Sequence, residues 1–182
     1  MNIMVLFTSF AGGGYVEVLT LGSRGAAVKL IQSLLIRIGY NPGPVDGIFG
    51  QITREAVREF QLDNGLEPDG VVGPATWSRF ERFLRGYDTY TIRPGDTFYN
   101  ISGRYYTTLN AVMTANPGVD PRNLRVGQVI NVPYGIDVVF TDIDYTYEIM
   151  DRDIRGLKVR YPFIEVGIAG RSVLGKNLYY IK

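Results

Sequence analysis

Two carboxylates in matching surroundings are the first residues of this chain that could do chemistry. The run Asp46-Gly47-Ile48-Phe49-Gly50-Gln51-Ile52-Thr53 recurs 23 residues later as Asp69-Gly70-Val71-Val72-Gly73-Pro74-Ala75-Thr76. Paired acids can serve as acid and base in glycoside hydrolysis, where their separation decides the mechanism. Equivalent places in a repeat point instead to turn-making and capping. Glycine after Asp supplies the positive φ of a tight turn, and Pro74 sits where a first helical residue is favoured. Composition bounds the other chemistries. The chain has no histidine and no cysteine, which removes Ser-His-Asp and Cys-His nucleophiles. No cluster in the sequence offers the three protein ligands that a catalytic zinc requires. Neither a metal nor a cofactor is expected within this polypeptide.

The repeat must be positioned by helices. Val28, Ile31, Leu35 and Ile38 share a face of a helix over roughly 26–38 that stops at Gly39. After the first turn, Ile52, Ala56, Val57 and Phe60 mark a second helix ending near Asn64-Gly65; after the second, Trp77, Phe80 and Leu84 mark a third, ending at Gly86. Three short helices can close one small core. The segment from Leu19 to Phe80 resembles the three-helix peptidoglycan-binding domain attached to wall hydrolases, through its Asp-Gly pairs, Ala56-Val57, Phe60-Gln61 and Thr76-Trp77. In that setting Trp77 is expected in the core rather than as a sugar platform.

A different pattern occupies Asp88 to Pro133. A strand-like Tyr90 to Ile92 meets the breaker Arg93-Pro94-Gly95, and Asp96-Thr97 offers side-chain oxygens to cap a helix carrying Phe98, Ile101 and Tyr105 on one face. Thr108 can cap a second helix with Leu109, Val112 and Met113, which Asn116-Pro117-Gly118 ends; Val129, Ile130 and Val132 make a closing strand. Tyr90, Pro94 to Phe98, Ile101, Asn116-Pro117 and Leu124-Arg125-Val126-Gly127-Gln128 resemble the LysM module in order and spacing.

That resemblance implies binding of N-acetylglucosamine polymers, peptidoglycan or chitin, in a shallow groove. Gly95, Asp96, Thr97 and Phe98 would form one wall, and Asn116, Pro117, Gly118, Val119 and Leu124 the other. Backbone amides and carbonyls of a Gly-rich turn can bond acetamido groups while apolar side chains meet the sugar face. The same residues also admit a purely structural reading, with Gly95 and Asp96 making a turn and cap and Phe98 in the core; capping and ligand contact can coexist.

The last segment begins extended and turns helical, with Met150, Ile154 and Leu157 on one face, then ends at Tyr161-Pro162 before β-like runs at 164–168 and 178–181 joined through Gly170 to Gly175. Tyr145-Thr146-Tyr147, Asp153-Ile154, Leu157, Tyr161-Pro162 and Gly170-Arg171-Ser172 resemble the opening of a zinc carboxypeptidase domain. In that family the zinc ligands and the glutamate base would all lie beyond Lys182. The order of modules resembles γ-D-glutamyl-diamino-acid endopeptidases. A lone hairpin is marginal in water, so residues beyond about Asp142 are expected to be loosely ordered or to lean on the LysM-like module.

The expected fold class is therefore α+β: a tail over 1–18, a three-helix domain over 19–86, a βααβ module over 88–134 and a helix plus hairpin remnant over 137–182. The sequence of 182 residues is 46% apolar with a formal net charge of +1. Its basic residues form no stripe, which argues against a nucleic-acid partner. No run approaches the about 18 apolar residues of a membrane span. The opening has no basic residue before Arg24 and does not read as a secretory leader. The expected partner is peptidoglycan or a chitin-like glycan, bound by a monomer without catalysis in the cell wall or outside the cell, including on spores. With two sites of ~100 μM and an effective concentration of ~1 mM, linkage would tighten binding about tenfold if both engage one polymer.

Overall fold

The computed structural model describes residues 17–182. The leader reading and almost all of the expected tail lie outside the described residues. The chain divides into two compact units, one holding the residues up to Leu84 with Val139–Ile149, the other Arg85–Val138 with Met150–Lys182. Its elements are helices and small antiparallel sheets, the α+β class that the patterns predict.

The first unit is built on α1 (Ala26–Arg37), α2 (Gln51–Asp63) and α3 (Pro74–Arg85). Their apolar stripes bury Val28, Ile31, Leu34 and Leu35 against Val57, Phe60, Trp77, Phe80 and Leu84. The Phe60 and Phe80 rings stack with centroids 4.2 Å apart. Trp77 is a core residue, as expected, and its indole Nε1 donates to the Glu17 carbonyl at 2.8 Å. One position departs from the helical pattern. Ile52 is 58% exposed while Thr53 turns inward. The reason is polar, since the Thr53 hydroxyl donates to the Pro42 carbonyl at 2.9 Å and accepts from Gln32.

A strap over Val139–Ile149 also belongs to this unit. Phe140 enters the three-helix core, and the Arg37 guanidinium lies 4.2 Å from its ring centroid. Arg37 also donates to the Val139 carbonyl at 3.0 Å, and the Ser33 hydroxyl donates to Asp142 at 2.8 Å. Burial pushes the Asp142 pKa up, but these donors and the Arg37 charge outweigh it and hold the carboxyl below its ordinary range.

In the second unit β1 (Tyr87–Thr91) pairs antiparallel with β2 (Val129–Pro133), Tyr90 opposite Ile130, and α4 (Phe98–Arg104) and α5 (Leu109–Thr114) lie between them in sequence. Ile92, Phe98, Ile101, Val112, Ile130 and Val132 form its core. Both caps read from the sequence are present. Thr97 accepts from the Asn100 amide while Asn100 returns a bond to Thr97, and Thr108 accepts from the Ala111 amide. The chain ends in α6 (Tyr147–Arg160) and the hairpin of β3 (Val166–Arg171) and β4 (Asn177–Ile181). The C-terminal end of α6 leans on the exit of β2, where Arg160 donates to the Ile136 carbonyl at 2.9 Å and also to that of Tyr134. Tyr179 ties the hairpin back to α6 by donating to Asp151 at 2.5 Å.

Candidate functional site

The repeated acids are built into turns, and each is held by a glutamine. Gln32 on α1 donates through Nε2 to Asp46 at 3.0 Å, to the Ile48 carbonyl and to Thr53, while its Oε1 accepts from the Gly47 amide at 2.9 Å. Gln61 on α2 repeats the pattern with Asp69 at 2.8 Å, the Val71 carbonyl, Thr76 and the Gly70 amide. Asp46 and Asp69 also accept from the amides of Ile48 and Val71, two residues on, at 2.8 Å each. The Ile48 amide bond, then the Gln32 bond, hold Asp46 below its ordinary pKa. A glycosidase acid needs the opposite shift, so the capping reading accounts for Asp46, and Asp69 is spent on the same turn bonds.

On the second unit, the first expected wall is a tightly braced turn. Gly95 is exposed with φ +80 and no heavy atom within 4 Å of where a side chain would begin. Its Cα is thus open to solvent in a conformation that disfavours any other residue, while its carbonyl accepts from the Asn100 side chain at 3.2 Å. Asp96 is turned inward, its side chain only 8% exposed. It accepts from the Tyr90 hydroxyl at 2.8 Å, the Arg93 amide at 2.7 Å and Arg104 at 2.5 Å. Burial raises the Asp96 pKa, and these three donors more than reverse it. Thr97 is the cap of α4, and Phe98 is 1% exposed in the core. This wall therefore presents the Gly95 turn to solvent, with the Asp96 carboxylate and the Phe98 ring turned away from it.

The second wall is more open. Asn116 is buried and spent on structure: its amide donates to the carbonyls of Val112 and Asn131 at 2.7 Å each, and its oxygen accepts from the Asn131 amide at 2.9 Å. Pro117 and Gly118 are exposed. Val119 and Leu124 are half-buried and pack on the cluster that contains Phe98, which brings the two walls together through one core. A shallow recess of about 530 Å³ takes in Gly118 and Val119 and continues along Asn123, Arg125, Val126 and Gln128. The sequence reading left these last four out of the site. Their signal is the turn at Gly127, which has φ +86 and donates to the Ile92 carbonyl at 2.9 Å, bringing the Arg125–Gln128 turn to the sheet edge.

The family model for a putative peptidoglycan binding domain matches residues 24–80, and that for the LysM domain matches residues 90–133. This chain joins a peptidoglycan-binding domain to a LysM domain. The two glutamine clamps fall inside the first match and both walls inside the second. A spore cortex-lytic enzyme of Halalkalibacterium halodurans is 33% identical over 90 residues, 48% of this chain and 27% of that protein. A zinc D-Ala-D-Ala carboxypeptidase of Streptomyces albus G is 43% identical over 63 residues, 32% of this chain and 24% of that protein. The solved LysM domain of a Volvox carteri chitinase is 59% identical, covering 25% of this chain and 94% of that one at a TM-score of 0.25. The chain spans 62% of one curated relative and between 20 and 33% of several others.

The peptidase resemblance raises a zinc site as a question of fit. The residues present do not fit one. The sequence has no histidine or cysteine, and among the described residues no group of three or more acidic side chains is placed to hold a metal. Among the described residues no helix is long and apolar enough to cross a membrane.

Proposed function

We propose that this chain is a non-catalytic binder of bacterial peptidoglycan, the targeting part of a cell-wall peptidase. The observation that carries the reading is the tandem itself, a peptidoglycan-binding domain at 24–80 followed closely by a LysM domain at 90–133. The glycan lies across the two walls of the LysM domain, bonding backbone groups at Gly95 to Thr97 and at Pro117 and Gly118, with Val119 and Leu124 supplying apolar contact. The protein acts as a monomer in the cell wall or outside the cell, and the spore cortex-lytic relative favours spore wall as one such place.

The test is co-sedimentation of the intact chain with purified insoluble peptidoglycan, chitin alongside. Gly118→Trp is the informative variant, because Gly118 is exposed, meets no heavy atom within 4 Å and lacks the positive φ that would strain a replacement at Gly95. Binding lost in a folded Gly118→Trp protein supports the LysM walls. Unchanged binding moves the site to the three-helix domain, and no binding by the parent chain sinks the proposal.

The tail favours a second reading, in which this sequence is the front of a zinc-dependent γ-D-glutamyl-diamino-acid endopeptidase whose catalytic residues lie elsewhere. Muropeptides incubated with this chain and added zinc then give no turnover. Product that scales with protein concentration would contradict both readings.

A further inference from the structure

We infer that the second unit carries a further saccharide subsite, in the recess between α5, the exit of β2 and the C-terminal end of α6, and that it takes one N-acetylated amino sugar of a neutral glycan. The inference rests on the glycan-binding reading and adds a place of contact outside both walls.

The recess holds about 300 Å³ and is lined by Thr107, Asn110 and Thr114 on one side and Asp137, Arg160 and Tyr161 on the other. Its lining shares no residue with the two walls. The local sequence builds it in three steps. Arg160 fastens α6 to the carbonyls of Tyr134 and Ile136. Gly135 lets the chain pass against the Tyr106 carbonyl, with which any β-carbon there would collide. Tyr106 itself, next to the lining Thr107, adopts φ 51 and is 91% exposed. An aromatic residue in the left-handed region is strained, and solvent exposure gives no packing to offset it. Outside the lining, the ring of Phe163, 75% exposed, lies 5.8 Å from that of Tyr161.

The lining chemistry selects the ligand class. Hydroxyls and an amide offer both donors and acceptors, which suits a polyhydroxylated ring. Asp137 and Arg160 give one charge of each sign, so the lining carries no net charge to draw an anionic stem peptide. The Tyr161 ring offers an apolar surface to the C–H face of a sugar. The volume sits at the lower end of the roughly 300–1,000 Å³ of small-molecule clefts, enough for about one ring and not for a chain.

The experiment is titration of the isotope-labelled full chain with an N-acetylglucosamine tetramer, followed at backbone amides. Two sets of resonances should move, one around Gly118 and Val119, the other around Thr107, Thr114 and Asp137. Tyr161→Ala should weaken the second set about tenfold and leave the first alone. Asn110→Ala, at an exposed position, should weaken the same set and guards against a folding defect in the first variant. Movement of the wall set alone overturns this subsite while leaving the proposed function intact. Movement of neither overturns this subsite and the placing of the glycan on the LysM walls, and leaves peptidoglycan binding to the three-helix domain, read by the co-sedimentation. A recess that responds to a muramyl stem peptide and ignores the tetramer overturns the ligand class.

Discussion

At Asp96 a carboxylate that the sequence offered as a cap or a sugar contact is consumed by its own turn. Its depressed pKa means that its contribution to stability is complete above the unfolded value near 3.8 and is lost as pH falls below that, through the folded value. Asp96→Asn should therefore flatten the acid limb of the second unit's unfolding, read at LysM amide signals between pH 2 and 7. It should also cost about 1–3 kcal/mol near neutrality, where charge-assisted bonds are lost. An unchanged acid limb would show that the Tyr90, Arg93 and Arg104 bonds do not persist in solution. At this scale the sequence was legible where a residue's backbone need decided the matter, as at Gly95 and the cap Thr97. It was less legible where a side chain had two possible uses. Phe98 and Asn116 sit at the expected places, yet burial and three hydrogen bonds turn them inward, and only the packing around them decides that. Gln61 entered the reading only as a matched residue and Gln32 not at all, because a buried Gln has no periodic signature of its own.

Elements were the most legible scale. α1 to α5 and β2 lie where apolar periodicity and Gly/Pro punctuation place them, because those signals are local, while β1 begins at Tyr87, three residues before the expected Tyr90. The Ile52 and Thr53 exchange shows the limit: hydropathy put the isoleucine inward, whereas the turn's polar network required the hydroxyl. The C-terminal hairpin is held differently from the LysM sheet. Phe163, Ile168, Leu178 and Tyr180 are each at least half exposed, whereas β2 buries Ile130, Val132 and Pro133. Hydrogen exchange should find amides of β3 and β4 opening well before those of β1 and β2, since few apolar contacts resist local opening. Strong protection across 163–181 would show instead that something covers the hairpin.

For the whole molecule, the feature that no local signal announced is the strap. Residues 139–149 have neither helical nor alternating periodicity over most of their length, and their partner helix lies about a hundred positions earlier; Ser33 and Asp142 are 109 apart. Such contacts are decided by tertiary packing. Phe140→Ala should destabilise the first unit by about 3 kcal/mol, the range for emptying a core site of a phenyl ring, measured as a fall in its unfolding midpoint in urea. A shift under about 0.5 kcal/mol, the size of an ordinary surface substitution, would mean that the strap rests on the helices without supporting them.

The glutamine clamps have a consequence for how such a domain could grow. Each copy runs from an Asp-Gly turn through an inward threonine to a residue eight positions further on: Thr53 leads to Gln61, and Thr76 leads to Leu84. Gln61 reaches forward and fixes the next turn, so the motif is recursive, each round supplying the anchor for its successor. At Leu84 the anchor is replaced by a fully buried hydrocarbon. Recursion halts there, as a chain-terminating monomer ends a polymer, and the sequence is released at Gly86 to begin a different architecture.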